Sequence, residues 1–151
     1  MASWSDFAVA APDIAAEGRR LILARGDGEA LLATVRGDDL PRIHPISVAI
    51  VDGRLLAFII LAGPKRRDLE LDGRYAMHSH VDLAAPDEVS FRGRATLVTD
   101  PAQRAAAIAV WPFEADDDYA LFEFAIESCV LGLRGADEWP PRYTTWRATP
   151  A

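Results

Sequence analysis

A chain of 151 residues, half of them apolar and 26% charged, has enough material for one domain with a proper core. Its 23 acidic residues against 16 basic ones give a formal charge of -7, which excludes non-specific nucleic-acid binding, since that affinity comes from neutralising backbone phosphates. A lone cysteine, Cys129, excludes an intramolecular disulfide, and the longest apolar stretch, Leu55 to Ala62, is too short to cross a bilayer. Residues Met1 to Asp6 carry no basic region leading into an apolar run, so no secretion signal and no membrane anchor are expected. The expected location is the cytoplasm.

The first predicted element is a helix. Pro12 suits its first turn, and Ile14, Gly18, Leu21 and Ile22 recur at helical spacing until Gly26 and Gly28 stop it. Ala30 to Arg36 reads as a strand, Asp38 to Pro41 as a turn, and Arg42 to Val51 as a second strand. Asp52-Gly53 signals a tight hairpin that needs positive φ. Arg54 to Leu61 returns as a strand apolar on both faces, and therefore buried on both. A short basic helix follows, then strands over Tyr75 to Val81 and Glu88 to Val98. In the latter, Val89, Phe91, Gly93, Ala95 and Leu97 share one face, while Glu88, Ser90, Arg92, Arg94 and Thr96 share the other. Asp100-Pro101-Ala102-Gln103 opens another helix, with Asp as cap, Pro in the first turn and Gln reaching back; it runs to Trp111 and stops at Pro112. Asp116 to Asp118 makes a solvated acidic turn that can open a short helix. Phe122 to Arg134 and Arg142 to Arg147 are the closing strands. Six or seven antiparallel strands with a few short helices predict a mainly β, α+β architecture: a small barrel whose closure removes exposed sheet edges.

The most informative segment is Gly63-Pro64-Lys65-Arg66-Arg67-Asp68-Leu69. It packs three cations into the first turn of a helix, the end that already carries partial positive charge and unpaired N–H groups. An anion at that end makes sense of the placement, held by backbone donors and side-chain charge together. The bland alternative is a solvated helix start whose cations pair with Asp68, Glu70 or Asp72.

The order of these features resembles a known family. Trp4, Phe7 and Pro12 at the start, the run Leu32 to Ile43, the Asp52-Gly53 hairpin, the Lys65-x-x-Asp68-Leu69 helix, Gly73 to Ser79 and Phe91 to Asp100 are similar to the pyridoxamine 5'-phosphate oxidase-like flavin-binding split-barrel family, especially its small actinobacterial-type members. The resemblance implies a split β-barrel that forms a homodimer, with flavin mononucleotide (FMN) or a related deazaflavin bound between subunits. It implies that Lys65 meets the phosphate, with Arg66 and Arg67 as further charge, and that the ring lies along Arg42, Ile43, His44, Pro45, Ile46 and Ser47 and along Phe58 and Ile59. Two departures stand out. Relatives often place Ser-Arg-Lys or Ser-x-Lys where this chain has Gly63-Pro64-Lys65, and Asn-Pro-Arg or Asp-Pro-Arg where it has Asp72-Gly73-Arg74. The residues that recognise pyridoxal in true oxidases find no convincing match, so vitamin-B6 oxidation is not expected.

The remaining candidates carry weaker signals. His78 and His80 stand two apart on one strand, a spacing that can chelate a metal, but no cysteine or carboxylate cluster completes a site, and no metal is expected. His78 is a better fit as a flavin neighbour or proton donor. Cys129 lies in an apolar strand and reads as a buried, inert thiol. Trp139, Tyr143 and Trp146 are candidates to cap the barrel or to stack on the flavin from the second subunit, with core or interface packing the favoured reading. Arg92 and Arg94, off the core face, are candidates for a cation beside the reduced ring, and Arg36, Arg42 and Arg54 would serve the acidic tail of a deazaflavin. The expectation is a dimeric flavin-dependent oxidoreductase acting on a small organic substrate. The alternatives are a deazaflavin-dependent reductase and a ligand-binding module without turnover.

Overall fold

The computed structural model describes residues 1–26 and 28–149. Two helices open the chain, α1 (Trp4–Ala10) and α2 (Pro12–Ile22). Ser3 caps α1 by accepting from the Asp6 N–H, and the Asp6 carboxylate accepts from the Ser3 N–H in return, a capping box that the sequence reading passed over. Strands β1 (Glu29–Val35), β2 (Pro41–Ser47), β3 (Ala49–Val51) and β4 (Arg54–Ile60) follow, then α3 (Pro64–Leu71), β5 (Arg74–Ser79), β6 (Glu88–Leu97), α4 (Pro101–Val110), β7 (Tyr119–Leu133) and β8 (Arg142–Arg147). The hairpin between β3 and β4 turns through Asp52 at φ 48° and Gly53 at φ 72°, as the tight turn requires. Residues Asp116 to Asp118 make a turn and open no helix, and Asp100 caps α4 without a return bond from Gln103.

All strands belong to one antiparallel sheet in the order β2-β1-β5-β6-β7-β4-β3, with β8 added to β7. Its two ends, β2 and β3, are neighbours in the chain, so the sheet curls back on itself at Val48. The run expected as one strand from Arg42 to Val51 therefore breaks there. The Val48 N–H makes the last in-register bond to the β1 side, donating to the Gly28 carbonyl at 3.0 Å; its side chain turns into the core, and from Ala49 the chain pairs with β4 instead. The barrel stays split beyond this point. β3 pairs with β4 only from Arg54 to Leu56, and from Ala57 onward β4 and β2 pass each other unpaired.

Alternation decides the rest. The inner faces supply Leu32, Leu55, Met77, Phe91, Phe122, Phe124 and Ile126, all fully buried. Trp4 and Phe7 of α1 close one end by edge-on contacts with each other and with Phe91 at 5.5–6.1 Å. β4 is buried on both faces, as its sequence predicts. Leu55, Ala57 and Ile59 point into the barrel, whereas Leu56 and Phe58 join a second cluster with Ala107, Trp111, Ala115 and Leu121 beneath α4. Between β6 and β7 the register shifts at Arg92/Gly93, so Glu127 is an extra, bulged residue. Gly93 permits this: a Cβ there would lie 1.9 Å from the Ala125 carbonyl oxygen.

Candidate functional site

The split is flanked by the C-terminal half of β2, the C-terminal half of β4 and the start of α3. It gathers the predicted residues from three elements. Arg42 and His44 stand on one face of β2, and Lys65 and Asp68 of α3 are His44's charged neighbours. Asp68 is 4% exposed and binds the elements together. Its Oδ2 accepts from Thr34 Oγ1 of β1 at 2.8 Å and from Arg42 Nε at 3.1 Å. Sequence reasoning missed Thr34 and Asp68 as site builders, because the contact joins residues far apart in the chain.

The bland pairing holds for one of the three cations only. Arg66 forms an ion pair with Glu70 at 2.9 Å, one turn along α3. Arg67 is exposed. Asp68 is taken by Arg42, and Asp72 by Arg74, whose side-chain bonds hold the Asp72 carboxyl down at about 2. Lys65 is half-buried and finds no acidic partner among the described residues; burial lowers its pKa below the ordinary lysine value. His44 shares this situation. Its Nε2 is buried with no hydrogen-bond partner, and burial, then Lys65, then Arg42 push its pKa below the usual histidine value, with Asp68 opposing. α3 starts at Gly63, which offers no side-chain cap, so the first N–H groups of the helix have no capping side chain.

The expected ring-side residues divide. Ile43 is 69% exposed and Pro45 is exposed, on the outer side of β2, whereas Ile46 is buried. Pro45 is tolerated because β2 is an end strand of the sheet, paired with β1 alone. Ser47 is half-buried. The side chains of Phe58 and Ile59 lie in the two cores; Phe58 packs edge-on against Trp111 at 4.8 Å with the Arg104 guanidinium over its other side. Toward a ligand in the split, these two residues offer backbone.

A groove of about 710 Å³ opens away from the split, on the outer face of β1, β5, β6 and β7, and contains none of the ten predicted cofactor residues. Small residues, Ala33, Val35, Pro41 and Ala76, form its floor, and Arg74, Arg92, Arg147 and the bulged Glu127 line it. Arg94 instead faces a smaller hollow beside Gly73 and Leu69. Of the other candidates, His78 approaches the Ser79 carbonyl through Nδ1 at 2.6 Å and Glu88 through Nε2 at 3.4 Å, so both ring nitrogens are engaged. Tyr143 donates to Glu88 at 2.8 Å. Trp146 packs on Phe7, whereas Trp139 is 77% exposed under Arg134. Cys129 is fully buried, and burial pushes its thiol up to about 12, which keeps it inert at neutral pH. Arg36, Arg42 and Arg54 do not form one basic groove: they pair with Asp38, Asp68 and Glu123 respectively.

Solved structures with the same fold are numerous, and those named here are each under 25% identical to the chain. The heme binding protein from Mycobacterium smegmatis is 18% identical with a TM-score of 0.68 over 87% of this chain, which spans 57% of that one. The General Stress Protein 26 from Bacillus anthracis is 16% identical, with a TM-score of 0.64 over 88% of this chain and 97% of that one. HutZ, the heme storage protein from Vibrio cholerae, is 17% identical, with a TM-score of 0.59 over 82% and 95%. No curated protein matches the chain. The pattern of the family described as pyridoxamine 5'-phosphate oxidase matches residues 25–130, from ahead of β1 to well into β7. On that match, over well more than half its length, the chain belongs to the pyridoxamine 5'-phosphate oxidase family.

Proposed function

We propose that this protein binds FMN at the split and acts as a flavin-dependent oxidoreductase on a small organic substrate. The observation that carries the reading is Lys65: a half-buried cation at a helix start, without an acid partner, beside a histidine nitrogen that is buried and unsatisfied. A phosphate supplies what all three lack. The residues present fit the phosphate end of the group, with Lys65, His44 and the first N–H groups of α3 as its contacts. The backbones of Pro45 to Ser47 and of Phe58 and Ile59 flank the place for the ring. The flavin, when bound, supplies hydride transfer; the chain binds, orients and shields it.

FMN is preferred over a deazaflavin with a long acidic tail because each arginine that would hold the tail is already paired with an acid. We further propose a homodimer. α4 covers the outer face of the barrel at β3 and β4, whereas the outer face of β1, β5 and β6 is bare and carries the groove. The test is the absorption spectrum of the protein purified without added cofactor and after incubation with FMN. A flavin band that is lost on gel filtration of Lys65→Ala, with uptake weakened by about 1–3 kcal/mol, supports the reading. A porphyrin band in its place, or uptake indifferent to Lys65, overturns it.

A further inference from the structure

We propose that His44 couples anion binding at this site to protonation: a dianion that docks beside Lys65 brings one proton from solvent onto the His44 imidazole. The inference rests on the reading that an anion occupies the start of α3, and concerns how that site responds to pH.

The charges that face His44 are few. Arg42 lies two residues away on the same face of β2, and Lys65 and Asp68 face it from α3. On β1 its register partner is Leu32, which is apolar and fully buried. Asp68 is the one acid in the set, and its Oδ2 already accepts from Thr34 and Arg42. Without an anion, therefore, burial first and then two cations bear against a charged imidazole, its Nε2 has no partner, and the neutral ring is favoured. A dianion beside Lys65 reverses the sign of that field. The protonated ring then gains both a charge partner and an acceptor for its N–H, so the proton that was unwelcome becomes part of the binding.

Sulfate is the appropriate probe, because it stays doubly charged across the pH range in which a phosphate monoester changes its own charge. The imidazole signals of the three histidines are followed by NMR against pH, with and without saturating sulfate, and His44→Gln assigns the relevant one. The His44 midpoint should move upward when sulfate binds. Sulfate affinity should rise by about threefold or more between pH 7.5 and 5.5, with a ceiling of about tenfold per pH unit for one proton. In His44→Gln the pH dependence should flatten, and in Lys65→Ala binding should be weak throughout. An unmoved His44 midpoint, with sulfate binding still dependent on Lys65, overturns the coupling and leaves the anion site standing. Absence of any Lys65-dependent sulfate binding overturns both. The wild-type titration decides between these outcomes even where a variant does not fold.

Discussion

The start of α3 and the outer groove are both rich in cations, but they use their charge differently. In the groove Arg74 is paired with Asp72 and Asp39, while Arg92 and Arg147 are exposed and have no acid partner among the described residues. An exposed guanidinium is solvated and needs no partner. At α3 Arg66 pairs with Glu70 and Arg42 with Asp68, and Arg67 is exposed to solvent, whereas Lys65 and the His44 Nε2 lack a partner among the described residues and are partly or wholly removed from water. A cation withdrawn from water without compensation is costly. The difference teaches that a count of positive residues does not distinguish the two regions; burial of the unpaired ones does, and the proposed anion site rests on it.

The contrast can be tested in four ways. Asp68→Ala should have the largest effect, since it removes two hydrogen bonds to a buried carboxylate and leaves Arg42 uncompensated beside Lys65. Chemical denaturation should show a loss of about 3 kcal/mol, and a change below about 1 kcal/mol would mean that the elements do not depend on this link. Next comes pH. The His44 pKa lies below its unfolded value, so between the two the unfolded chain holds more protons and stability rises with pH. The stability that His44 contributes is present above the usual histidine range of about 6.5 and is lost as pH falls through that range toward the depressed value. Sulfate should reduce the loss, and His44→Gln should remove it, as read by thermal melts across pH. Arg66→Ala breaks only an ion pair between side chains that are each about one-third exposed, and should cost no more than about 0.5 kcal/mol. Smallest of all, Arg92→Ala with Arg147→Ala should leave FMN affinity within about twofold, because exposed charges away from the split contribute little to a site they do not line. A large loss in that double variant would transfer the anion site to the outer groove.

The legible parts of the molecule were those fixed by local physics. Alternation along Glu88 to Ala95, the positive-φ demand at Asp52-Gly53 and the double-sided burial of Leu55 to Ile59 each follow from neighbours in the chain and are found, whereas Leu97, Ile60 and Leu61 at the strand ends are exposed against expectation. The break at Val48 was not legible. Arg42 to Val51 reads as one continuous strand, and it breaks because the chain changes partner at Val48, from β1 before it to β4 after it, a switch set by the closing of the sheet. The helix α1 carried a signal, Ser3 with Asp6, that was available and unused. In the site, Lys65 showed itself because cations at a helix start contradict the local field. Which cations are neutralised was hidden, since Arg42, Thr34 and Asp68 meet only after three elements fold together. The bulge that turns Glu127 into the groove was equally invisible, being a property of the pairing of β6 with β7.

The most direct measurement compares FMN with riboflavin, which has the same ring and no phosphate, by fluorescence titration of the purified protein. If the buried, unpaired charge at Lys65 and His44 is the anchor, FMN should bind at least about tenfold more tightly than riboflavin, and Lys65→Ala should erase most of that gap. Equal affinity for the two flavins, or a gap that survives Lys65→Ala, would contradict the assignment.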